Sequence, residues 1–213
     1  MKDRCLKFFS FYNAAVAPDI PVYQRSVSEK FGLSVNQVMD AAMTPTDFLN
    51  DICRRVTDTD YLIFFDIDCI PTKRMWLNKL ITDLLEPHTI VGCAQTAHHL
   101  QDVCNLYVSP FFYAISTAYL KELHYPDLHP TDQVAAAQNL TEQVRLQQGT
   151  VRFWWPTHVE EPKWKLHHPS HKVYGLGTTY DDMVYHAFEW KNGRAFVQKC
   201  KAILAEQEGP GLD

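Results

Sequence analysis

The sequence predicts an α/β fold in which a mostly parallel central sheet is flanked by helices. Short apolar or β-rich segments alternate along the chain with segments of helical periodicity. Residues 61–65 (YLIFF) contain no polar alternation, which is typical of a strand buried on both faces of a sheet. The chain has 213 residues, and we expect one domain spanning residues 1–213.

Five segments are predicted to be strands because they are short and rich in apolar, β-branched or aromatic residues. In chain order they are residues 6–11, 61–65, 89–93, 107–115 and 151–155.

Seven segments are predicted to be helices. They are residues 23–30, 46–56, 74–85, 116–123, 133–148, 181–190 and 193–204. In the second of these, apolar positions 48, 49, 52, 53 and 56 follow the helical period, and Thr46 is the predicted N-cap. Residues 158–179 are rich in His, Pro and Gly, and we predict that they form loop.

Composition excludes several classes of protein. The net charge of −5 gives no general basic surface, so we expect no nucleic-acid partner. The six cysteines are scattered without a Cys-x-x-Cys pair, which fits free thiols in a reducing compartment and hence a cytoplasmic location. No apolar run reaches the roughly 20 residues that span a bilayer, so no transmembrane segment is expected.

Asp66 and Asp68 are the strongest functional signal, because they follow directly on the predicted central strand. Ligands of open α/β sheets bind at the carboxyl ends of the strands. Two unpaired carboxylates at this spacing repel each other, and a hard divalent cation, Mg²⁺ or Mn²⁺, resolves the conflict and shares its ligands with substrate phosphates. The alternative is an acidic pair that caps a helix or meets Lys73 and Arg74.

Residues 60–73, DYLIFFDIDCIPTK, resemble the Asp-x-Asp segment of GT-A glycosyltransferases, especially the glycogenin and lipopolysaccharide-galactosyltransferase type. The order of the later segments is similar over most of the chain, although only the Asp-x-Asp segment is specific. The resemblance implies a GT-A-like domain with a donor-nucleotide half at about 1–105 and an acceptor half at about 106–213. It also implies a Mn²⁺ or Mg²⁺ ion on Asp66 and Asp68, a UDP-sugar donor, and a glycan or protein acceptor.

The length and the opening segment, residues 6–26, also resemble the glycosyltransferase domains of chlorella viruses that decorate the major capsid protein. That resemblance implies an acceptor glycan on a viral capsid and synthesis in the host cytoplasm. It also implies a domain cut from a longer polypeptide.

Asp132 and Gln133, at the predicted start of a helix, resemble the acidic element beside the reacting sugar in this family. In an inverting transfer Asp132 would be the general base that takes the proton of the acceptor hydroxyl. In a retaining transfer Gln133 or Asp132 would lie near the anomeric carbon. The alternative is that Asp132 is simply an N-cap.

The exit of the first strand is expected to meet the nucleotide in a doubly wound sheet. It comprises Ser10, Phe11, Tyr12 and Asn13. Phe11 or Tyr12 would stack on uracil and Asn13 would hydrogen-bond to it, while Arg25 would reach the phosphate. For Phe11, aromatic core packing is an equal alternative.

The predicted loop after residue 158 carries further candidates. We expect His171, or alternatively His168, to complete the metal site, because a neutral imidazole suits Mn²⁺. Residues 174–179 (YGLGTT) would present backbone N–H groups to phosphate, with a plain loop as the alternative. Lys172 would neutralise the departing diphosphate.

Two other functions remain open. In a haloacid-dehalogenase-type phosphatase, Asp66 would be the nucleophile and Asp68 the acid/base, with Asp181 and Asp182 as the later acidic pair. Ile70, standing where that family has Thr or Val, argues against it. The second alternative is a sugar-nucleotide-binding module without turnover.

Overall fold

A computed structural model describes residues 4–97, 106–188 and 193–206 of the chain. In chain order the elements are β1 (Leu6–Tyr12), α1 (Asp19–Lys30), β2 (Val35–Met39), α2 (Pro45–Arg55), β3 (Tyr61–Asp66), β4 (Cys69–Pro71), α3 (Trp76–Asp83), β5 (Thr89–Thr96), β6 (Leu106–Ser116), α4 (Thr117–Glu122), α5 (Gln138–Leu146), β7 (Thr150–Trp154), β8 (Pro156–Lys165), β9 (Val173–Tyr180), β10 (Val184–His186) and α6 (Arg194–Ala205).

The larger sheet has six strands in the order β2-β1-β3-β6-β5-β7. Strand β6 is antiparallel to both of its neighbours, and the other adjacent pairs are parallel. The predicted α/β class with a mostly parallel central sheet is therefore confirmed. The predicted buried strand is β3, in which residues 62–65 are at most 4% exposed. Its neighbour β1 places Phe11 directly beside Asp66.

A second, antiparallel sheet has the order β4-β10-β9-β8. It includes most of residues 158–179, so the prediction of loop there is wrong. The Gly and Pro content favoured the prediction of loop, but several of these residues are part of the strands of the sheet. A Cβ at Gly175 would collide with the backbone carbonyl of Glu161, so glycine allows β8 and β9 to approach closely. Strand β8 is mostly exposed and tolerates Pro156 and Pro162.

Two predicted helices are also corrected. Residues 181–188 are not helical, since Asp181 and Asp182 have φ of 48° and 58° and form the turn between β9 and β10. Residues 189 and 190 lie outside the described part of the chain. Helix α5 begins at Gln138 rather than at 133, because Ala137 has a φ of 59°. Asp132 therefore lies in a bend before the helix and is not its N-cap.

Helices α1 and α6 pack together against β10 and the turn that follows β3. Their shared cluster contains the buried side chains of Ile20, Ile67, Tyr185 and Phe196. Ile67, the residue between the two aspartates, is 2% exposed. Among the described residues, no helix is both long and apolar enough to cross a bilayer.

The N-terminus of α2 is capped by Thr44 and not by the predicted Thr46. The Thr44 hydroxyl accepts from the backbone N–H of Asp47 at 3.1 Å, and the Asp47 carboxylate accepts from the backbone N–H of Thr44 at 3.1 Å. This reciprocal pair is a capping box. Pro45 at the first helical position, which needs no N–H there, explains the shift of the cap by two residues.

Substitution of the two threonines will identify the cap. Thr44→Ala is expected to lower the free energy of unfolding by about 1 kcal/mol, because the Asp47 N–H loses its acceptor. Thr46→Ala is the matched control, with an expected change within about 0.5 kcal/mol. Urea unfolding monitored by circular dichroism measures both. Equal losses in the two variants would contradict the assignment.

Candidate metal and nucleotide site

Asp66, Asp68 and His186 form the one metal-binding group found in the described residues. One ligand atom from each lies within 4.8 Å of the other two. Asp66 ends β3, Asp68 lies in the turn that leads to β4, and His186 is brought beside them because β10 pairs with β4, with His186 opposite Cys69. Ile67, between the two acids, is buried in the core and anchors the turn, so the carboxylates of Asp66 and Asp68 lie close together.

The three side chains differ in exposure in a way that suits a shared metal. The His186 Nε2 atom lies 2.9 Å from the Asp68 carboxylate and 3.8 Å from that of Asp66. The side chains of Asp68 and His186 are 1% and 5% exposed, while that of Asp66 is 45% exposed. Two ligands are thus enclosed by protein, and the third faces solvent, where a substrate can approach.

The two carboxylates at this corner affect each other's charge. Although the Asp66 side chain is 45% exposed, the surrounding protein partly desolvates its carboxylate, and this desolvation and the nearby Asp68 carboxylate raise the pKa of Asp66 to about 6. The His186 ring and the Ile67 N–H, which donates to the Asp66 carboxylate at 3.0 Å, act in the opposite direction on that pKa. Both acids lie near one buried imidazole, and a divalent cation bound here would relieve the repulsion between them.

The donor set fits Mn²⁺ or Mg²⁺. Carboxylate oxygens suit either ion, and an imidazole nitrogen shifts the preference towards Mn²⁺. The His186 ring contacts two aromatic rings that also contact each other, Phe111, stacked at 4.1 Å, and Phe188, at 3.9 Å between centroids. Its Nδ1 atom is buried and has no hydrogen-bond partner in the described structure. Aromatic packing therefore orients the ring and directs Nε2 to the acids.

The structure brings His186, and not His171 or His168, to the two aspartates. The rings of His168 and His171 lie 4.2 and 4.8 Å from that of Trp155, and His171 Nδ1 is 3.3 Å from the carbonyl oxygen of Pro156. His186 is one of five histidines between residues 158 and 186, but His171 and His168 were the predicted ligands, and residues 181–190 were predicted to be a helix. The signal that would have found His186 is the short β-type run Val184-Tyr185-His186.

A cavity of about 100 Å³ adjoins Asp66. Its walls include Phe11, Thr46, Phe48, Pro110 and Ala136. They bring together the end of β1, the start of α2, β6 and the segment before α5. The Asp66 carboxylate thus borders an apolar recess at the carboxyl edge of the parallel strands, the position expected for a ligand.

The structure places the predicted nucleotide-binding residues in different environments. Phe11 is 7% exposed and stacks on Phe48 with centroids 5.1 Å apart, so it packs in the core and also lines the cavity. Ser10 is 1% exposed, and within the described residues its hydroxyl has no hydrogen-bond partner. Tyr12 is half-buried against the α1–α6 cluster.

Asn13 and Arg25 are engaged with other protein groups. The Asn13 side chain accepts from the backbone N–H of Ala15 at 3.0 Å and shapes the turn after β1. The Arg25 guanidinium donates to the Gln37 amide oxygen from Nη2 at 2.8 Å and from Nε at 3.2 Å. Both side chains therefore already have hydrogen-bond partners within the protein.

Lys172 is not brought to the metal group. It is exposed at the hairpin between β8 and β9, where its carbonyl accepts from the Leu166 N–H at 2.9 Å. Thr178, which pairs with His186, is six residues further along β9, roughly 20 Å at strand spacing. Residues 174–179 belong to β9 and do not form the predicted phosphate-binding loop before a helix.

Asp132 and Gln133 are exposed in the segment that precedes α5. The Gln133 N–H donates to the Thr131 hydroxyl at 3.2 Å, so the segment forms a local turn. Ala136, three residues beyond Gln133, lines the cavity beside Asp66. The segment is therefore close to the candidate site, although the part played by the two side chains stays a prediction.

A histidine that the sequence analysis did not single out ties this segment to α2. His129 Nε2 lies 2.8 Å from the Asp47 carboxylate, and Nδ1 lies 2.6 Å from that of Asp127. Asn50 donates to Asp127 at 2.9 Å and closes the network. Hydrogen bonds to Asp47 and Asp127 raise the pKa of His129, while bonds from Thr44 and then His129 lower that of Asp47 to about 2. No pattern in the sequence indicated this clamp, because its acids are 80 residues apart along the chain.

His129 is expected to make stability depend on pH. Because its pKa is raised in the folded state, its contribution is complete below the ordinary histidine pKa of about 6.5 and is lost as pH rises through the raised value. His129→Gln should therefore lower the urea midpoint at acidic pH and have less effect at alkaline pH. His158→Gln, on the exposed strand β8, is the control. A deficit of His129→Gln that grows with pH would contradict the clamp.

The comparisons with known proteins found no matching family and no matching curated protein. Among solved structures, the chain is similar to the mannosyltransferase PcManGT from Pyrobaculum calidifontis, solved with GDP-Man and Mn²⁺, at 14% identity over 70% of this chain and 54% of that one, with a TM-score of 0.49. The catalytic domain of Drosophila β1,4-galactosyltransferase 7, solved with xylobiose, matches at 8% identity over 70% of this chain and 63% of that one, with a TM-score of 0.45.

A glycosyltransferase involved in the glycosylation of the major capsid of PBCV-1 also matches. Its identity is 11% over 70% of this chain and 80% of that one, and the TM-score is 0.44. The solved structures to which the chain is similar thus include glycosyltransferases, one of them involved in the glycosylation of a viral major capsid. The aligned part spans less than two thirds of the first two proteins. All three TM-scores lie below 0.5.

Proposed function

We propose that this chain is a metal-dependent glycosyltransferase that moves a sugar from a nucleotide-diphosphate donor, with UDP as the nucleotide, to a glycan or glycoprotein. The observation that carries the proposal is the group of Asp66, Asp68 and His186 at the carboxyl edge of the parallel strands. Two enclosed ligands and one exposed ligand are what a metal needs if it is to share its coordination with a diphosphate.

A Mn²⁺ or Mg²⁺ ion bound here would supply positive charge against the diphosphate as it leaves. The chain's own contribution is to hold the ligands in place. Asp68 and His186 are fixed by burial and by the rings of Phe111 and Phe188, so the site is preorganised before a donor arrives. Asp66 completes the site on the open side.

The donor nucleoside is proposed to lie at the exit of β1, beside the cavity. Support comes from the pairing of Phe11 with Asp66, which places this exit next to the metal group. The Ser10 side chain alternates with that of Phe11 and lies on the opposite face of the sheet, and Ser10 is not among the described residues that line the cavity. Tyr12 and Asn13 follow at the strand end and would face the base if their present contacts loosen.

Asp132 is proposed as the general base for an inverting transfer, with Gln133 beside the anomeric carbon in a retaining one. Support comes from the cavity, which Ala136 of the same segment shares with Asp66. The clamp of His129 on Asp47 and Asp127 holds this segment to α2. The acceptor would then approach over residues 106–213 and the donor over residues 1–105, in one domain.

A viral capsid glycan as acceptor and a location in the host cytoplasm follow from the sequence resemblance alone and remain part of the proposal.

The phosphatase alternative is not favoured. Asp181, its later acid, accepts from the Trp155 N–H at 2.7 Å and pairs with Lys79 at 3.2 Å, so it is committed to the turn after β9.

Thermal unfolding with nucleotide sugars and Mn²⁺ tests the metal site. A UDP-sugar at 100 times its dissociation constant should stabilise the wild-type chain by about 2.7 kcal/mol, and only with Mn²⁺ present. Asp68→Asn and His186→Gln should abolish that protection, because each removes a buried ligand. The protection should weaken as pH falls below about 6, where Asp66 takes up a proton.

His171→Gln is the matched control for His186→Gln, since it removes a histidine that the structure places against Trp155. It should keep the metal-dependent protection. Loss of protection in His171→Gln and its retention in His186→Gln would reverse the assignment of the third ligand. Absence of any Mn²⁺-dependent protection in the wild-type chain would refute the proposed function.

Asp132→Ala distinguishes an enzyme from a module that only binds. If Asp132 is the base, the rate of transfer, or of slow UDP-sugar hydrolysis, should fall about 10² to 10⁴-fold. Mn²⁺-dependent donor binding should be unchanged, because Asp132 is not a metal ligand. An unchanged rate would remove Asp132 from the mechanism, and a wild-type chain without turnover would favour the binding module.

A further inference from the structure

The turn between β3 and β4 has to hold two acids at a fixed separation, and its backbone is tied on two sides. On one side, the Ala187 N–H donates to the Asp68 carbonyl at 3.1 Å, next to the pairing of β4 with β10. On the other side, the carbonyls of Asp66 and Cys69, at the two ends of the turn, face helix α1.

Gln24 of α1 binds both of these carbonyls. Its Nε2 atom donates to the Asp66 carbonyl at 2.7 Å and to the Cys69 carbonyl at 3.1 Å. Gln24 is 1% exposed, so the bonds form away from water. A side-chain amide is suited to this task because one nitrogen carries two hydrogens. Gln24 therefore spans the turn that carries Asp68.

The direction of the Gln24 amide is set by a chain of hydrogen bonds that begins at Arg25. A guanidinium can only donate, so its two bonds to Gln37 identify the acceptor atom as Oε1. Gln37 Nε2 then donates to Gln24 Oε1 at 2.9 Å and to the Pro21 carbonyl at 2.8 Å. With its oxygen occupied in this way, Gln24 must present its nitrogen to the turn.

We infer that Gln24, oriented by Arg25 through Gln37, is a positioning residue that sets the affinity of the Asp66–Asp68–His186 group for a divalent cation. The inference rests on the proposed metal-binding function of that group. Gln24 does not touch the cation. It fixes the backbone from which two of the ligands project, and such outer partners typically change metal affinity by about 10 to 100-fold.

The test is calorimetric titration of the whole chain with Mn²⁺ alone, without nucleotide. Gln24→Met keeps the length of the side chain and removes both donors, and we expect Mn²⁺ affinity to fall about 10 to 100-fold. Gln37→Met and Arg25→Met should lower it by smaller factors. The double variant of Gln24 and Gln37 should add little to Gln24→Met, since both act through one network.

Ser28→Ala is the control. Ser28 is a buried residue of the same helix, and its hydroxyl donates to the Gln24 backbone carbonyl at 2.8 Å and not to the turn. It should leave Mn²⁺ affinity unchanged. Arg25 is exposed, so Arg25→Met should weaken Mn²⁺ binding without lowering the urea midpoint, a result that a merely structural role would not give. If Gln24→Met fails to fold, Arg25→Met and Gln37→Met decide the question.

Wild-type affinity in a folded Gln24→Met chain, or in both of the other variants, overturns the inference and leaves the metal site standing. A wild-type chain that binds no Mn²⁺ overturns both the inference and the proposed function. The expected loss of Mn²⁺ affinity, in a chain that binds no nucleotide sugar, supports the inference and refutes the glycosyltransferase.

Discussion

Electrostatic repulsion between Asp66 and Asp68 is the constraint on which the rest of the candidate site depends. Both carboxylates lie within reach of one buried imidazole, and that of Asp66 has a pKa of about 6. A fold gains nothing in stability from holding two acids in this way. The surrounding structure nevertheless fixes them, through Ile67 in the core and the aromatic rings that pack against His186. The arrangement is therefore best understood as preparation for a cation rather than as a contribution to folding.

Each sheet supplies a different part of this preparation. The parallel sheet brings Asp66 to its carboxyl edge beside Phe11, and the small antiparallel sheet brings His186 to the same point through β10. Helices α1 and α2 then hold the turn between the acids and the segment before α5 in place. Gln24 holds the turn between the acids, and Asp47 holds the segment before α5 through His129. The site is thus assembled from parts that are distant in the sequence.

The parts of the fold that the sequence predicts well are those that depend on local pattern. The apolar run of β3 identified a central strand, and the helical period identified α2. The failures at β9 and at His186 have a common cause, which is long-range packing. The glycines of β9 resemble loop residues until β8 is known to lie against them, and His186 becomes a candidate ligand only through the pairing of β10 with β4. The proximity of Asp66 and Asp68 was predictable because strand and turn are adjacent in sequence, whereas the contact of Gln24 with their turn was not.

Strand β8 has a further consequence for how the molecule behaves in solution. It is the outer strand of the antiparallel sheet, ten residues long and mostly exposed. An open edge of that length is ordinarily a template on which other chains aggregate. Here Pro156 and Pro162 remove two amide donors, the register is interrupted at both, and Glu160 and Glu161 add like charges to the edge. The hairpin can therefore extend into water without recruiting foreign strands.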